Sequence, residues 1–446
     1  MQSVNERIHW ALTHGIAMGL KSSDEEHVTK IPVVHAPFTL HSFQYPTLQF
    51  DAAVKLAPLF NTLVEKITRN PSWLVETLKP TATSDVFIRR LINIYEVVLA
   101  EGISQKVSLA INRSDYMLHS SEGDKRSLLQ VELNTIASSF GSLSTKISEM
   151  HRELQEMEDM NCDSASKKNV PLNVALDEIA AGLAAAHNIY LKQRGLTNSD
   201  CSIAMIVQPG ERNFADQRLL QFQIWKNHRV RCFRVTLAEV FQEGLLGDNK
   251  QLLIGGKKVS VVYFRAGYSP DDHPTEQEWD ARLLIERSFA IKCPTIAVHL
   301  AGCKKVQQML ANPGILEMFI SSKDDSDALR SVFAGLYSLT VPTSQSEESQ
   351  KELNLLNNIK RKIEAEDGLN FVMKPQREGG GNNFYGPDVA NALRTMSVDE
   401  QAAYILMERI LPPSSDADLI RDGIVYKVWF VDYLFLFPCL IIINLK

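Results

Sequence analysis

Between residues 47 and 68 the apolar positions Phe50, Ala53, Val54, Ala57, Val64 and Ile67 recur at helical spacing and form one face. The same period over 84–99, carried by Phe87, Leu91, Ile94 and Val98, predicts a second amphipathic helix. Ser84 is its expected N-cap, since a hydroxyl can accept from an otherwise unpaired N–H of the first turn. A third helix is expected from Leu172 to Tyr190, and the N-terminal stretch also reads as helical. Strand patterns lie between these: SLLQVELN (127–134), IAMIVQ (203–208), VSVVYFR (259–265), FVMK (371–374) and AAYILM (402–407). LLIGGKKV (252–259) predicts a hairpin, because Gly255 and Gly256 can take the positive φ of a two-residue turn. The polar stretches 157–169 and 341–352 read as surface connections, and no internal repeat is seen. The expected class is α/β or mixed α+β.

A chain of 446 residues has room for two or three folding units, or for one large intertwined domain. Its 45% hydrophobic and 22% charged residues are those of an ordinary soluble globular protein. A net charge of -6 supplies no basic field for a polyanion, so nucleic acid is excluded as a partner, while a small anion needs only local lysine and arginine. The six cysteines form no C-x-x-C pair or Cys/His cluster, which suits a reducing, cytoplasmic setting. Glu6 and the polar residues around it do not make a secretory leader. From Val428 to Leu445 the chain is strongly apolar, but Asp432 and Pro438 interrupt the run and argue against a membrane span.

The segment richest in chemistry is FVMKPQREGGGNNFYG, Phe371 to Gly386. Three consecutive glycines after a strand let backbone N–H groups approach a ligand closely. Lys374 and Arg377 add positive charge and Glu378 a hard oxygen, a set suited to a metal-bound polyphosphate. The run is neither a Walker A loop nor a dinucleotide-binding turn. In SLLQVELN, strand alternation places Leu129, Val131 and Leu133 on one face and Gln130, Glu132 and Asn134 on the other. Glu132 and Asn134 could share a Mg²⁺, although a half-exposed strand with a polar outer face would read the same. RSDYM (113–117), ERNFADQ (211–217), YFRAGY (263–268) and AGCKKVQQ (301–308) mix charged and amide groups beside apolar strands, and singly each reads as a solvated loop end. No H-E-x-x-H or G-x-S-x-G pattern supports a metallohydrolase or a serine hydrolase.

Taken in order, LQVELNTI, PGERNFADQ, VVYFRAGY, KPQREGGGNN and ILMERI resemble eukaryotic glutathione synthetase of the plant-like kind, from about His35 to about Lys427. The resemblance implies an ATP-grasp-type ligase fold with a helical N-terminal region and an inserted substrate-binding subdomain. The implied division is 1–200 with the helices and the metal-binding strand, 201–310 for substrate, 311–427 for the ATP-grasp region, and 428–446 as an apolar tail. The implied reaction is ATP-dependent ligation of γ-glutamylcysteine to glycine through an acyl phosphate, on a chain that forms a homodimer. Charge neutralisation and positioning then carry the catalysis, and the resemblance singles out no catalytic nucleophile.

By the same resemblance Glu132, Asn134 and Glu378 bind Mg²⁺, two ions to a site. Glu132 also belongs to the ATP site, and Lys304 and Lys374 contact the nucleotide phosphates. The run Lys374, Pro375, Gln376, Arg377, Glu378, Gly379, Gly380, Gly381, Asn382 and Asn383 with Tyr385 corresponds to the ATP-binding lid region, and Met407, Glu408, Arg409 and Ile410 read adenine through the backbone. For γ-glutamylcysteine the matching positions are Arg113, the turn Ile136, Ala137, Ser138 and Ser139, then Glu211, Arg212, Asn213 and Gln217, and the run Arg265, Ala266, Gly267 and Tyr268. Ala137 stands where the family commonly has serine. Beyond Lys427 the family's SELGIFG-like segment, RTK element and Gly/Ala-rich loop are replaced by Val428–Lys446. That departure implies an alternative: a catalytically impaired chain that binds ATP or pairs with a full-length partner.

Overall fold

Three helices follow one another near the N-terminus: Thr47–Thr68, Pro71–Ser84 and Val86–Glu101. In this computed structural model the described residues are 2–20, 32–42, 44–120, 126–159, 170–340, 346–376, 382–414, 416–428 and 442–444. Ser84 is not the cap expected of it, because it closes the second helix. Asp85, extended at φ −108°, caps the third, and its carboxylate accepts from the Ile88 N–H at 3.0 Å. Phe60, Leu63, Leu74, Leu78, Phe87 and Leu91 meet Leu300 and Val306 in one core that braces the later helices of the site. The N-terminal stretch forms a helix, Gln2–Thr13, and the third expected helix runs from Ala175 to Arg194.

A six-stranded sheet holds Ser202–Ile206, Cys232–Val235 and Lys257–Phe264 together with the strands at 244–246, 252–254 and 291–293. Its parallel part is covered on both sides: Ile203, Met205, Val261 and Tyr263 face Ala180, Leu183 and Leu220, while Ala204, Ile206, Val262 and Phe264 face Val240, Ala281 and Ile285. Two-sided burial is why these strands read as nearly unbroken apolar runs. The expected hairpin pairs Leu252–Ile254 with Lys257–Phe264, with Gly255 and Gly256 at φ 54° and 72°.

A four-stranded sheet orders Leu336–Ser338, Tyr404–Glu408, Phe371–Pro375 and Phe384–Tyr385. Phe371, Met373 and Leu406 pack on the helices Glu347–Ala365 and Pro387–Thr395, leaving Val372, Lys374 and Met407 on the opposite face. The helix from Glu347 corrects the connection expected over 341–352, since Ser346 caps it by accepting from the Ser349 N–H at 3.2 Å. Likewise Gly141–Asp159 is helical into the stretch read as a connection over 157–169, whose remainder from 160 lies outside the described residues. Of the apolar end, Ile442–Asn444 pairs antiparallel with Ser108–Ala110. Among the described residues no helix is long and apolar enough to cross a membrane.

Candidate functional site

The free face of the four-stranded sheet lies against a hairpin of Arg113–Ser120 and Arg126–Asn134. The register of that hairpin slips at Val131: Asp115 pairs with Glu132, but Tyr116 pairs with Gln130. This bulge corrects the simple alternation expected of SLLQVELN. Leu133 joins Leu128 and Tyr116 in the large helical core, and Gln130 turns the same way, its Nε2 donating to Ser114 Oγ at 3.0 Å. Leu129 and Val131 instead pack on Met407 and Ile410. Glu132 and Asn134 therefore share their face, and Asp115 comes with them, its carboxylate accepting from the Asn134 amide at 3.1 Å.

Two lysines converge on that face: Lys304 Nζ lies 3.0 Å from Glu132 Oε2, and Lys374 Nζ donates to the Val131 carbonyl at 3.1 Å. Close packing puts Lys304 there. A Cβ on Gly302 would fall 2.2 Å from Thr135 Oγ1, so the turn before the helix Lys304–Ala311 is pressed onto the end of the hairpin. Gln307 Nε2 donates to the Leu133 carbonyl at 3.2 Å, and the Lys305 N–H donates to Gln376 Oε1 at 2.8 Å. Burial opposes ionisation of Glu132, yet the charge and hydrogen bond of Lys304, followed by Lys374 and Arg113, hold its carboxyl down at about 2. Burial, then the neighbouring Lys304 charge, brings Lys374 down to about 8. Three cations, Arg113, Lys304 and Lys374, thus face two carboxylates, Asp115 and Glu132, in a partly dry cleft, an imbalance that an added anion would relieve.

Beside this cluster lies a cavity of about 320 Å³ between the turn after the hairpin and the six-stranded sheet. Arg113, Asn134, Ile136, Ala137, Ser138, Ser139, Glu211, Asn213, Arg265 and Tyr268 of the expected set line it, and so do Phe140 and Gln208, which the sequence did not single out. Ala137 and Phe140 sit at φ 50° and 68°, so the turn is held against its own preference by its surroundings. Asp216 supplies much of that hold. Its buried carboxylate accepts from the N–H groups of Phe140, Ser142 and Leu143 at 3.1, 3.0 and 3.1 Å and from Arg265 Nη2 at 2.9 Å. Asp272 fixes the other wall, accepting from the Gly267 and Tyr268 N–H groups at 2.9 and 3.1 Å, while Gln208 Nε2 donates to it at 2.7 Å and to the Tyr268 hydroxyl at 3.1 Å.

Two buried polar atoms of cavity residues have no hydrogen-bond partner among the described residues: Arg265 Nε, a donor, and Asn213 Oδ1, an acceptor. Glu211 adds a carboxylate, bonded to the Asn213 N–H at 2.7 Å and to Gln217 Nε2 at 2.7 Å. The remaining expected residues do not line the cavity. Arg212 Nε donates to the Gly19 carbonyl at 3.0 Å, Gln217 is fully buried behind Glu211, Ala266 belongs to the sheet core, and Gly267 is held by Asp272.

Arg377, Glu378, Gly379, Gly380 and Gly381 lie outside the described residues. Pro375, Asn382 and Asn383 border a different, larger cavity of about 740 Å³ whose other walls include Phe87, Arg90, His273 and Trp279. Among its described lining residues Arg90 is the one lysine or arginine, whereas Arg113 and Arg265 both line the smaller cavity. Tyr385 is exposed and its hydroxyl accepts from Asn383 Nδ2 at 3.1 Å. In the segment expected to read adenine, the Glu408 and Arg409 N–H groups donate to Gly335 and Asn370 carbonyls at 2.8 Å each, and the Ile410 N–H has no acceptor among the described residues. Met407 and Ile410 are buried, and the Glu408 carboxylate accepts from the Tyr337 hydroxyl at 2.8 Å. Among the described residues no group of three His, Cys, Asp or Glu is arranged to hold a metal.

Cations gathered over one sheet, next to a polar cavity over its neighbour, fit the class of ATP-dependent ligases. The sequence model of the eukaryotic glutathione synthase ATP-binding domain matches residues 1–444, and the chain belongs to that family. That match extends on both sides of the 35–427 stretch legible by eye and takes in the apolar end. The chain is 42% identical over 422 residues to the glutathione synthetase of Dictyostelium discoideum, covering 93% of this chain and 85% of that protein. It is 41% identical to the chloroplastic enzyme of Arabidopsis thaliana, covering 95% and 75%, and 37% identical to the Homo sapiens enzyme, covering 95% and 85%. Among solved structures, a glutathione synthetase-like effector from Globodera pallida in its apo form superposes with a TM-score of 0.69 at 20% identity, covering 94% of this chain and 83% of that one, which shows the fold.

Proposed function

We propose that this chain joins γ-glutamylcysteine to glycine at the expense of ATP, giving glutathione, ADP and phosphate. The observation that carries the reading is the unsatisfied pair in the 320 Å³ cavity. Asn213 Oδ1, with Glu211 beside it, suits an ammonium, and Arg265 Nε suits a carboxylate, so together they complement the amino-acid end of a γ-glutamyl group. A dipeptide bound this way would direct its cysteinyl carboxylate toward Arg113 and the lysine pair.

There a carboxylate oxygen attacks the γ-phosphorus of ATP and ADP leaves. The glycine amine then attacks the acyl carbon, phosphate departs, and the amine loses a proton. Lys304 and Lys374 neutralise the phosphate charge that builds during transfer, and with no protein nucleophile required the work is positioning and charge stabilisation. The donor set also fits Mg²⁺. Glu132 is ionised at neutral pH and Asn134 offers an amide oxygen, both hard ligands, and Mg²⁺ commonly takes one or two protein oxygens with the rest from phosphates and water. Glu378 completes that set by resemblance. Bound there, the ion would draw charge from the β- and γ-phosphates.

The proposed division of labour follows the sheets: 201–310 holds the dipeptide and 311–427 the nucleotide, with the hairpin of 1–200 between them. Pairing of two copies is part of the same reading, as is a reducing compartment, cytoplasm included. Among the described residues Cys201, Cys232, Cys293 and Cys303 form no disulfide with one another, which supports the latter. Dipeptide labelled with ¹⁸O in its cysteinyl carboxylate tests the acyl-phosphate route. One label should appear in the released phosphate, whereas unlabelled phosphate alongside labelled peptide product would rule that route out.

A further inference from the structure

Asp115 has no role in the reading above, yet it is a fully buried carboxylate in the middle of the hairpin, opposite Glu132. Arg113 grips it with a two-pronged fork, Nε to Oδ1 at 2.8 Å and Nη2 to Oδ2 at 2.9 Å, and Asn134 Nδ2 donates to the same Oδ2 at 3.1 Å. Burial raises its pKa, against the pull of Arg113. A buried ion pair of this kind is weak evidence for stability, because apolar residues of similar volume often serve as well. What the arrangement does fix is direction.

An ionised carboxylate can only accept, so the Asn134 amide must present its nitrogen to Asp115. The second Asn134 contact, Nδ2 to the Arg113 carbonyl at 3.4 Å, also uses the nitrogen. Both acceptors lie on the hairpin, so the amide oxygen is the end left over, on a residue that borders the cavity. The same fork sets the plane of the Arg113 guanidinium, which lines the cavity as well. Without the bulge at Val131, Asp115 would pair with Val131 and would not share a face with Glu132 and Asn134.

We infer that Asp115 is a positioning residue that aims the Asn134 carbonyl oxygen at a divalent cation and the Arg113 guanidinium at the substrate carboxylate, so that one carboxylate sets both halves of the site. This inference rests on the functional reading above. In an Asp115→Asn variant an amide replaces the acceptor-only group. Asn134 is then free to turn its oxygen inward, and the fork loses one prong.

The test measures Mn²⁺ binding in the presence of ADP by water-proton relaxation, and γ-glutamylcysteine binding by calorimetry, on the full chain. Both affinities should fall by about 10- to 100-fold in Asp115→Asn, the usual cost of removing an outer partner of a metal ligand. The swapped pair, Asp115→Asn with Asn134→Asp, restores a carboxylate beside an amide and offers the cation a stronger oxygen, but it leaves Arg113 without its fork. Mn²⁺ affinity should therefore recover in the swap while dipeptide affinity does not, a split that a purely structural role would not produce. The swap also keeps the test decisive if the single variant does not fold. Affinities within twofold of wild type in Asp115→Asn, or recovery of both ligands together in the swap, would overturn the inference. A wild-type chain that binds neither ligand would overturn the functional reading, and this inference with it.

Discussion

Replacing Asp216 by asparagine tests how the fold holds the dipeptide cavity. All four groups around the carboxylate are donors: the N–H groups of Phe140, Ser142 and Leu143, and Arg265 Nη2. An amide in its place must point its own NH₂ at a donor in either orientation, and it takes from the buried Arg265 guanidinium the counter-charge it is hydrogen-bonded to. That guanidinium depends on its surroundings: burial disfavours its charge, while the charge and hydrogen bond of Asp216 and the charge of Glu211 favour it. Removing one partner of a buried ion pair costs about 3–5 kcal/mol. Against a total stability of roughly 5–15 kcal/mol this is a large loss. With a urea slope of about 3 kcal/mol per M, the midpoint should fall by about 1–1.7 M. Because Phe140 and Arg265 both line the cavity, γ-glutamylcysteine affinity measured in the residual folded protein should drop about tenfold or more, roughly 1.4 kcal/mol. Urea unfolding followed by tryptophan fluorescence gives the first quantity and calorimetry the second. A midpoint within about 0.3 M of wild type, together with an unchanged affinity, would refute the reasoning.

Lys304→Met removes the cation that does most to ionise Glu132, and nucleotide affinity should fall by about 10- to 100-fold, the equivalent of a charged hydrogen bond of about 1.5–3 kcal/mol. Calorimetry with ADP checks this, and an affinity within twofold of wild type contradicts it. Gly302→Ala drives a methyl group into Thr135, so a loss of about 1–3 kcal/mol in urea stability is expected, together with weaker nucleotide binding as Lys304 is displaced. Stability without nucleotide loss would show that the turn does not place Lys304. Burial lowers His151 and His273 to about 4 in the folded chain, against about 6.5 unfolded. Between those values the unfolded chain binds more protons, so their contribution is present above about pH 6.5 and is lost as pH falls toward 4. At about pH 5.5 each should cost about 1 kcal/mol relative to about pH 7.5, and the drop in urea midpoint between those two conditions should shrink in His273→Asn.

Much of this architecture follows from local pattern. The strands at 203–206, 259–264 and 371–374 announce themselves because burial on both faces, or on one helix-covered face, demands continuous or alternating apolar residues. The lysine of the Gly-rich strand was visible for the same reason: Phe371 and Met373 fix which face Lys374 takes. What period alone could not show is the bulge at Val131. It re-sorts Gln130 and Leu133 and brings Asp115 beside Asn134, and it depends on the register with a partner strand rather than on the sequence of either. Asp115 and Asp216 were read as parts of solvated loop ends, since a buried carboxylate is betrayed only by donors that reach it from elsewhere. In Asp216 those donors come from residues 140–143 and 265. Phe140 and Gln208 are of types that carry no site signal, and they enter the cavity through a positive φ and a strand end. The cap at 84–85 differs by a single residue, a boundary that propensity rarely resolves.

The central claim is that one site takes both γ-glutamylcysteine and ATP and joins the former to glycine. Incubating the purified chain with ATP, Mg²⁺, γ-glutamylcysteine and glycine, and following glutathione by mass spectrometry beside ADP and phosphate, tests it most directly. The account predicts glutathione, ADP and phosphate in equal amounts, with no product when the dipeptide or ATP is left out. No glutathione, and ATP turnover that does not respond to the dipeptide, would contradict it.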